Sequence, residues 1–156
     1  MRERFKGFTL IELMVTVVVM GILAVVAIPS FISSINNARA DSESGELYRS
    51  LNFARLEAIN RGVSIRLVPA VANTWTSAIT VQVSGSSPVQ TLRATSAMAD
   101  AAVITPSTAA SIIEFNNLGA LTFPATAVTL AYKRGTYTRN IAICVTGRVV
   151  LGGTCP

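Results

Sequence analysis

A short basic leader that runs directly into a long apolar segment is the feature that most constrains this chain. The segment Phe8–Ile28 spans 21 residues and carries a single charged side chain, Glu12. A helix of that length is about long enough to cross a ~30 Å hydrocarbon core. A carboxylate inside such a segment costs about 2.5–3.5 kcal/mol on insertion scales, so Glu12 is a candidate functional residue.

The stretch Lys6–Leu13, with the sequence KGFTLIEL, resembles the type III signal of type IV pilins and pseudopilins. The resemblance implies that a prepilin peptidase cuts between Gly7 and Phe8 and that the new amine of Phe8 is then methylated. It also implies that Glu12 takes part in subunit assembly, by pairing with the Phe8 amine of a neighbouring subunit. Either charge left unpaired in an apolar setting is costly, so the pair would favour one axial register.

The same resemblance predicts where the chain resides. The leader carries Arg2, Arg4 and Lys6, which the positive-inside rule places on the cytoplasmic side. We therefore expect a single-pass protein of the bacterial inner membrane, with a periplasmic domain that later enters a pilus or pseudopilus filament. A secretory signal peptide explains the segment less well, because Ala27–Ser30 is a poor cleavage site and Glu12 interrupts the core. An ordinary membrane anchor explains the hydrophobicity but not the string around Gly7.

Helical patterning resumes after Pro29, where the loss of one helical hydrogen bond predicts a kink or local melting. Apolar residues then recur at helical spacing and define one face, and Gly62 is a natural C-cap. These apolar residues are Leu47, Leu51, Ala54 and Ala58. The predicted organisation is a cleaved leader at 1–7, a transmembrane and assembly helix at 8–28, the amphipathic half of the helix at 29–62, and a β-rich globular domain at 63–156.

The period of the pattern changes to two after Gly62, which predicts short strands. The predicted strands are 63–68, 78–83, 89–92, 112–115, 128–133, 140–145 and 148–151. Gly85–Pro88 predicts a hairpin between the second and third of these, and Gly135 and Gly147 mark two further turns. The Ala-, Ser- and Thr-rich residues 96–110 are expected to form a loose connection. One helix followed by strands predicts an α+β domain, with an antiparallel sheet packed on the amphipathic half of the helix.

Three further stretches are similar to the GspH/FimT family: Leu51–Gly62, Ile113–Gly119 and Asn140–Val149. The resemblance implies a type IV pilin-like fold, with a long N-terminal helix packed on a C-terminal antiparallel sheet domain. It implies a low-abundance minor pilin or pseudopilin that helps initiate or cap a pilus or a type II secretion pseudopilus. The implied partners are the prepilin peptidase, the inner membrane and other major and minor pilins or pseudopilins.

The chain contains two cysteines, Cys144 and Cys155. An even number of cysteines in an exported chain predicts one disulfide, and the alternative is two free thiols. Closing a ring of this size is worth about 3 kcal/mol in the chain-entropy model. The bridge would hold the last strand against the sheet.

A DNA-binding minor pilin for natural transformation is the alternative function. Four cations follow Glu114, the last carboxylate of the sequence, and could contact phosphates or a protein partner: Lys133, Arg134, Arg139 and Arg148. FimT-like proteins of transformation carry a Gly-Arg-x-Arg patch near the C-terminus. The corresponding stretch here, Gly147–Val150, lacks the second arginine. A solvated basic face, or one that meets an acidic patch on another minor pilin, explains the four cations equally simply.

Nothing in the sequence predicts an enzyme, a cofactor or a metal site. The chain has no histidine to serve as a base or a ligand. Asp41, Glu43 and Glu46 lie close together in the sequence, but their spacing lacks the loop geometry of a calcium site. We expect these three carboxylates to form a solvated helix face.

Overall fold

The computed structural model describes residues 7–155, in which one helix precedes nine strands. The helix α1 is Leu10–Arg61. The strands are β1 Ile65–Pro69, β2 Ile79–Val83, β3 Thr91–Thr95, β4 Ala102–Pro106, β5 Ile113–Phe115, β6 Leu121–Phe123, β7 Val128–Arg134, β8 Tyr137–Ile143 and β9 Val149–Leu151. The leader cations Arg2, Arg4 and Lys6 lie outside the described residues.

The helix continues without interruption from Leu10 to Arg61, with Pro29 inside it. The predicted local melting at Pro29 is therefore absent, because a proline removes one hydrogen bond and the neighbouring turns remain helical. Contacts within the chain divide it into two compact units, one that ends at Ile35 and one that begins at Asn36.

In the second unit, α1 buries the face that its apolar spacing predicts. Leu47, Leu51, Ala54 and Ala58 are all at most 2% exposed. The helix ends at Arg61 and is followed by Gly62, which adopts a φ of +66°. Glycine reaches this left-handed conformation without a steric cost, so the predicted C-cap is confirmed.

The strands form two antiparallel sheets rather than the single sheet expected from the sequence. One sheet has five strands in the order β3-β2-β1-β5-β6, and the other has four in the order β4-β7-β8-β9. The hairpin predicted around Gly85–Pro88 is present, because β2 pairs with β3. The turns predicted at Gly135 and Gly147 connect β7 to β8 and β8 to β9.

The hydrophobic core lies between the buried face of α1 and the inner faces of both sheets. Its largest members outside the helix include Trp75, Phe115 and Ile141, each at most 1% exposed. The indole nitrogen of Trp75 donates a hydrogen bond of 2.8 Å to the carbonyl oxygen of Ala110, which satisfies its one polar group. Together these contacts give the second unit a core of its own.

Two strands lie where the sequence predicted none. Residues 96–110 were expected to be a loose connection, but Ala102–Pro106 form β4 and pair with Leu130–Arg134 of β7. The segment Leu121–Phe123 forms β6 beside β5. Both are edge strands whose pairing depends on partners elsewhere in the chain, so their own short patterns did not indicate them.

Candidate functional site

The start of α1 places Glu12 in the first helical turn. The backbone N–H of Glu12 donates to the side-chain oxygen of Thr9 at 3.3 Å, so Thr9 is the N-cap. Thr9 and Glu12 have the spacing of a capping box, and an acidic residue in the first turn also interacts favourably with the helix dipole. The carboxylate is exposed and lies five positions after Gly7.

The described part of the first unit exposes its apolar side chains. Every described residue from Gly7 to Ile35 is exposed, and large side chains such as Leu10, Met20 and Val25 are more than 70% exposed. Among the described residues, α1 is the one helix long and apolar enough to cross a membrane by length and composition. A surface of this kind needs a lipid or protein environment to cover it.

The three carboxylates Asp41, Glu43 and Glu46 do not form the solvated face that the sequence predicted. Glu43 is only 16% exposed in its side chain and accepts hydrogen bonds from three groups. Its partners are the Tyr132 hydroxyl at 2.6 Å, the Ala99 N–H at 3.2 Å and the Arg134 guanidinium at 3.4 Å. We refer to these four residues as the Glu43 cluster, and it joins α1 to β7 and to the loop before β4.

The Glu43 cluster changes the titration of Tyr132. Burial raises the pKa of the Tyr132 phenol from its ordinary value of 10 to about 12, and the hydrogen bond to Glu43 acts in the same direction. The neighbouring Arg134 opposes this shift and is the weaker influence. Tyr132 therefore stays protonated across the physiological range and remains a hydrogen-bond donor.

The other two carboxylates also pair with strands. Asp41 accepts a hydrogen bond of 2.8 Å from Arg139 on β8. Glu46 accepts from Arg49 on its own helix and from Arg93 on β3 at 2.6 Å. The hydrogen bond from Arg49, reinforced by Arg93, lowers the pKa of Glu46 against the opposing effect of burial. The acidic run thus anchors α1 to both sheets.

The four cations proposed from the sequence for DNA or partner contact do not form one patch. Arg134 lies on the buried face of β7 with Tyr132, and its side chain is only 6% exposed. Arg139 is opposite Tyr132 in the ladder and pairs with Asp41. Lys133 is exposed on the other face of β7, since successive strand residues alternate. Arg148 is exposed in the turn before β9.

Two turns that carry glycines meet at the end of the domain that holds Arg148. Gly119, with a φ of +76°, and Gly147, with a φ of +80°, are both buried, and a Cβ added at Gly147 would overlap the carbonyl oxygen of Gly119. That oxygen also accepts a hydrogen bond of 3.1 Å from Arg55 on α1. The helix and one turn from each sheet therefore meet at the contact between Gly119 and Gly147, which we call the glycine junction.

Leu118 lies at the tip of the first of these turns and was not singled out from the sequence. Its side chain is 78% exposed. The turn is held by Asn116, whose side-chain oxygen accepts from the N–H groups of Leu118 and Ala120. An apolar residue between asparagines and a glycine, as in Asn116–Gly119, is a sequence signal for an apolar turn tip.

The structure joins Cys144 to Cys155 in a disulfide, the pairing that the sequence predicts. A pocket of about 300 Å³ lies beside the bridge. Its lining also includes Ala127, Val145 and Arg148. Among the described residues, no group of three or more histidine, cysteine, aspartate or glutamate side chains could hold a metal ion.

Comparison with known families gives two matches. A family described as Type II transport protein GspH matches residues 43–148, and the prokaryotic N-terminal methylation motif matches residues 2–28. Among curated proteins, the type IV major fimbrial protein FimA of Dichelobacter nodosus is 38% identical over 65 residues, which are 40% of this chain and 42% of that protein. The type IV major alpha-pilin of Moraxella bovis is 48% identical over 42 residues, which are 27% of this chain and 26% of that protein. The chain thus matches about two-fifths or less of the length of these relatives.

Solved structures share the fold. The type IV minor pilin FimU of Pseudomonas aeruginosa is 24% identical with a TM-score of 0.64, over 79% of this chain and 92% of that one. The minor pseudopilin EpsH of the Vibrio cholerae type 2 secretion system is 14% identical with a TM-score of 0.57, over 72% of this chain and 95% of that one. Both likenesses confirm the type IV pilin-like fold predicted from the sequence.

Proposed function

The chain belongs to the GspH family, and from this premise we propose that it is a minor pilin or pseudopilin, a low-abundance filament subunit that helps to initiate or cap assembly. One observation carries the proposal: every residue from Gly7 to Ile35 is exposed, Glu12 lies in the first turn of α1, and the same helix continues into the folded domain. An apolar helix with one carboxylate suits both storage in a membrane and packing among other helices.

Maturation by a prepilin peptidase at Gly7 is the first step of the proposed function. The match to the N-terminal methylation motif supports it. Cleavage between Gly7 and Phe8 gives an ammonium group at Phe8, four residues before Glu12, which is about one helical turn. Phe8 is then methylated, and the leader with its three cations remains in the cytoplasm.

In the proposed function, Glu12 has one role in capping the helix and a second role in subunit assembly. Its N–H is capped by Thr9, so part of its effect is local. Glutamine also serves at the third position of a capping box. The Glu12→Gln variant therefore retains a capping residue and removes the charge that would pair with the Phe8 amine of another subunit.

We propose an inner-membrane location before assembly, with the domain from Asn36 onward in the periplasm, and a role that is not catalytic. The disulfide between Cys144 and Cys155 fits an oxidising compartment. The chain lacks histidine, and the carboxylates of the Asp41–Glu46 stretch are engaged with arginines on the sheets. The partners proposed are the peptidase and other pilins or pseudopilins.

The N-terminus of the mature protein tests this function. Mass spectrometry of the chain from the membrane fraction of its own host is expected to give a protein that begins at methylated Phe8. Gly7→Ala should leave the full-length precursor, whereas Gly21→Ala, inside the apolar segment, should mature normally. A mature chain that begins elsewhere, or maturation that is unaffected in Gly7→Ala, would contradict the proposal.

A further inference from the structure

We propose that the glycine junction supports a docking surface for an acidic segment of a neighbouring filament subunit, with Leu118 as its apolar anchor and Arg148 as its cation. Leu118 directly precedes Gly119, and Arg148 directly follows Gly147, so the two project from turns in contact. This inference rests on the proposed function as a filament subunit and names the surface and the chemistry of the partner.

The anchor is held on a rigid support. The N–H of Gly119 donates a hydrogen bond to the carbonyl of Asn116, and the N–H of Asn116 donates one to the carbonyl of Ala120. The Asn116 side chain accepts the two further hydrogen bonds described above. Ile59 of α1 packs beneath, since a Cβ added at Gly119 would lie 2.6 Å from its Cδ1. A turn fixed in this way loses little entropy when a partner binds.

Other exposed apolar side chains lie on the elements that meet at the glycine junction. Leu118 is 78% exposed, and Leu56 and Ile59 are exposed on the end of α1 that packs against its turn. Val145, at the start of the second turn, is 51% exposed. Exposed apolar side chains on adjoining elements are typical of protein-binding surfaces.

The charge at the junction is positive and unneutralised. Five arginines of the domain make salt bridges: Arg49, Arg61, Arg93, Arg134 and Arg139. Among residues 7–155, the other four arginines of the domain, Arg39, Arg55, Arg66 and Arg148, have no salt bridge to a carboxylate, and two of them, Arg55 and Arg148, lie at the glycine junction. A partner that brings carboxylates to this surface would be complementary to it.

The pocket beside the disulfide provides room for a side chain of that partner. It has a volume of about 300 Å³, and Val145 and Arg148 lie on its wall. A segment with an apolar side chain next to a carboxylate could place the first in the pocket and the second on Arg148. Arginine is enriched among interface hot spots, and hot-spot side chains tend to fill pockets.

A protein segment fits this surface better than nucleic acid does. Nucleic-acid surfaces depend on several clustered cations that follow the phosphate backbone. Here Arg134 and Arg139 are engaged with α1 and Lys133 lies on the outer face of β7, so the junction has two cations among apolar groups. If the surface bound DNA instead, the crosslinked products would contain DNA.

Site-specific photo-crosslinking tests the surface in the full-length chain in its own host. A photoreactive phenylalanine is placed at position 118, and at position 103 as the matched control, because Val103 is also an exposed apolar residue, at 55%, but lies on β4. We expect position 118 to give a product with another pilin-like subunit, joined near an aspartate or glutamate, and position 103 to give none with that subunit. Arg148→Glu should lower the yield about tenfold, whereas Lys133→Glu should leave it unchanged.

Several results would overturn the inference. These are equal yields from positions 118 and 103, a yield that is insensitive to Arg148→Glu, and products that contain DNA instead of protein. Recovery of the chain in sheared filaments from the same cells distinguishes failure of the docking surface from failure of the proposed function. If the chain is in the filaments and position 118 gives no subunit product, the docking surface alone fails; if the chain is absent from filaments, the proposed function fails with it.

Discussion

At the scale of single residues, Gly147 combines two constraints that no other amino acid meets. Its φ of +80° is in the left-handed region, and the space where a Cβ would stand is occupied by the Gly119 carbonyl. Gly135 shares the first constraint, with a φ of +57°, but has open space around it. Comparing alanine variants of Gly135 and Gly147 therefore separates the free-energy cost of the left-handed backbone from the cost of disturbing the contact with Gly119.

The fragment Asn36–Pro156 contains the whole hydrophobic core. In this fragment we expect Gly135→Ala to lower the free energy of unfolding by about 1–2 kcal/mol, which is the cost of a left-handed alanine. Gly147→Ala should cost clearly more, since the two turns must also separate. Urea denaturation of both variants measures the difference. Equal losses would show that the contact at Gly119 is not needed for stability.

Tyr132 gives the domain a pH dependence at the alkaline end. A pKa raised to about 12 in the folded state contributes stability that is fully present below pH 10, the ordinary pKa, and is lost as the pH rises from 10 to 12. Tyr132→Phe should therefore remove part of the decline in melting temperature over that window. Absorbance at the tyrosinate band should show a titration step near pH 12 that is missing in the variant. A wild-type titration without a step near pH 12 would contradict the buried hydrogen bond to Glu43.

At the scale of elements, the docking of α1 depends on buried charge as well as on apolar packing. Glu43→Gln leaves Arg134 buried with a weaker partner, and removing one member of a buried pair costs about 3–5 kcal/mol. Asp41→Asn is the matched control, because its side chain is 60% exposed and exposed pairs are worth about 0–1 kcal/mol. Chemical denaturation of the same fragment should rank the two variants in that order. Similar losses for both would mean that the Glu43 cluster contributes no more than a surface pair.

The disulfide acts on the last strand. Cys155→Ser should lower the free energy of unfolding by about 3 kcal/mol under oxidising conditions, since the ring of Cys144–Cys155 no longer limits the unfolded chain. A reducing agent should bring the wild-type fragment to the stability of the variant and leave the variant unchanged. A melting temperature that is the same with and without reductant would show that the bridge adds nothing.

The secondary-structure elements differ in how far their own residues predict them. Seven strands and the buried face of α1 followed from local periodicity. Local periodicity did not predict β4 and β6, since a short edge strand is specified by its neighbour rather than by its own residues. The solvated face predicted for Glu43 was wrong for a related reason: the complementary Arg134 is 91 residues away in the sequence.

Alternation along β7 could have separated the predicted cations. Lys133 and Arg134 are neighbours in the strand, and a period of two puts them on opposite faces. Arg134 also shares its face with Leu130 and Tyr132, which are buried. The four predicted cations therefore do not share one face.

At the scale of the whole molecule, one helix serves two separate units. The part up to Ile35 offers exposed apolar surface, and the part from Asn36 onward is built into a domain with its own core. This division of the chain is what a subunit needs if it waits in a membrane and then enters a filament. The domain surface, with Leu118 and Arg148, is then available to determine which neighbour it meets.

The measurement that tests the central claim most directly is the amount of the chain in sheared filaments from its own host, or in the assembled pseudopilus where the host makes one. We expect the wild-type chain to be present at low abundance, and Glu12→Gln to deplete it from the filament while its level in the membrane is maintained. Glu57→Gln, in a surface pair with Arg61, is the matched control and should assemble normally. A chain that is absent from filaments, or one that assembles equally well without the Glu12 charge, would contradict the account.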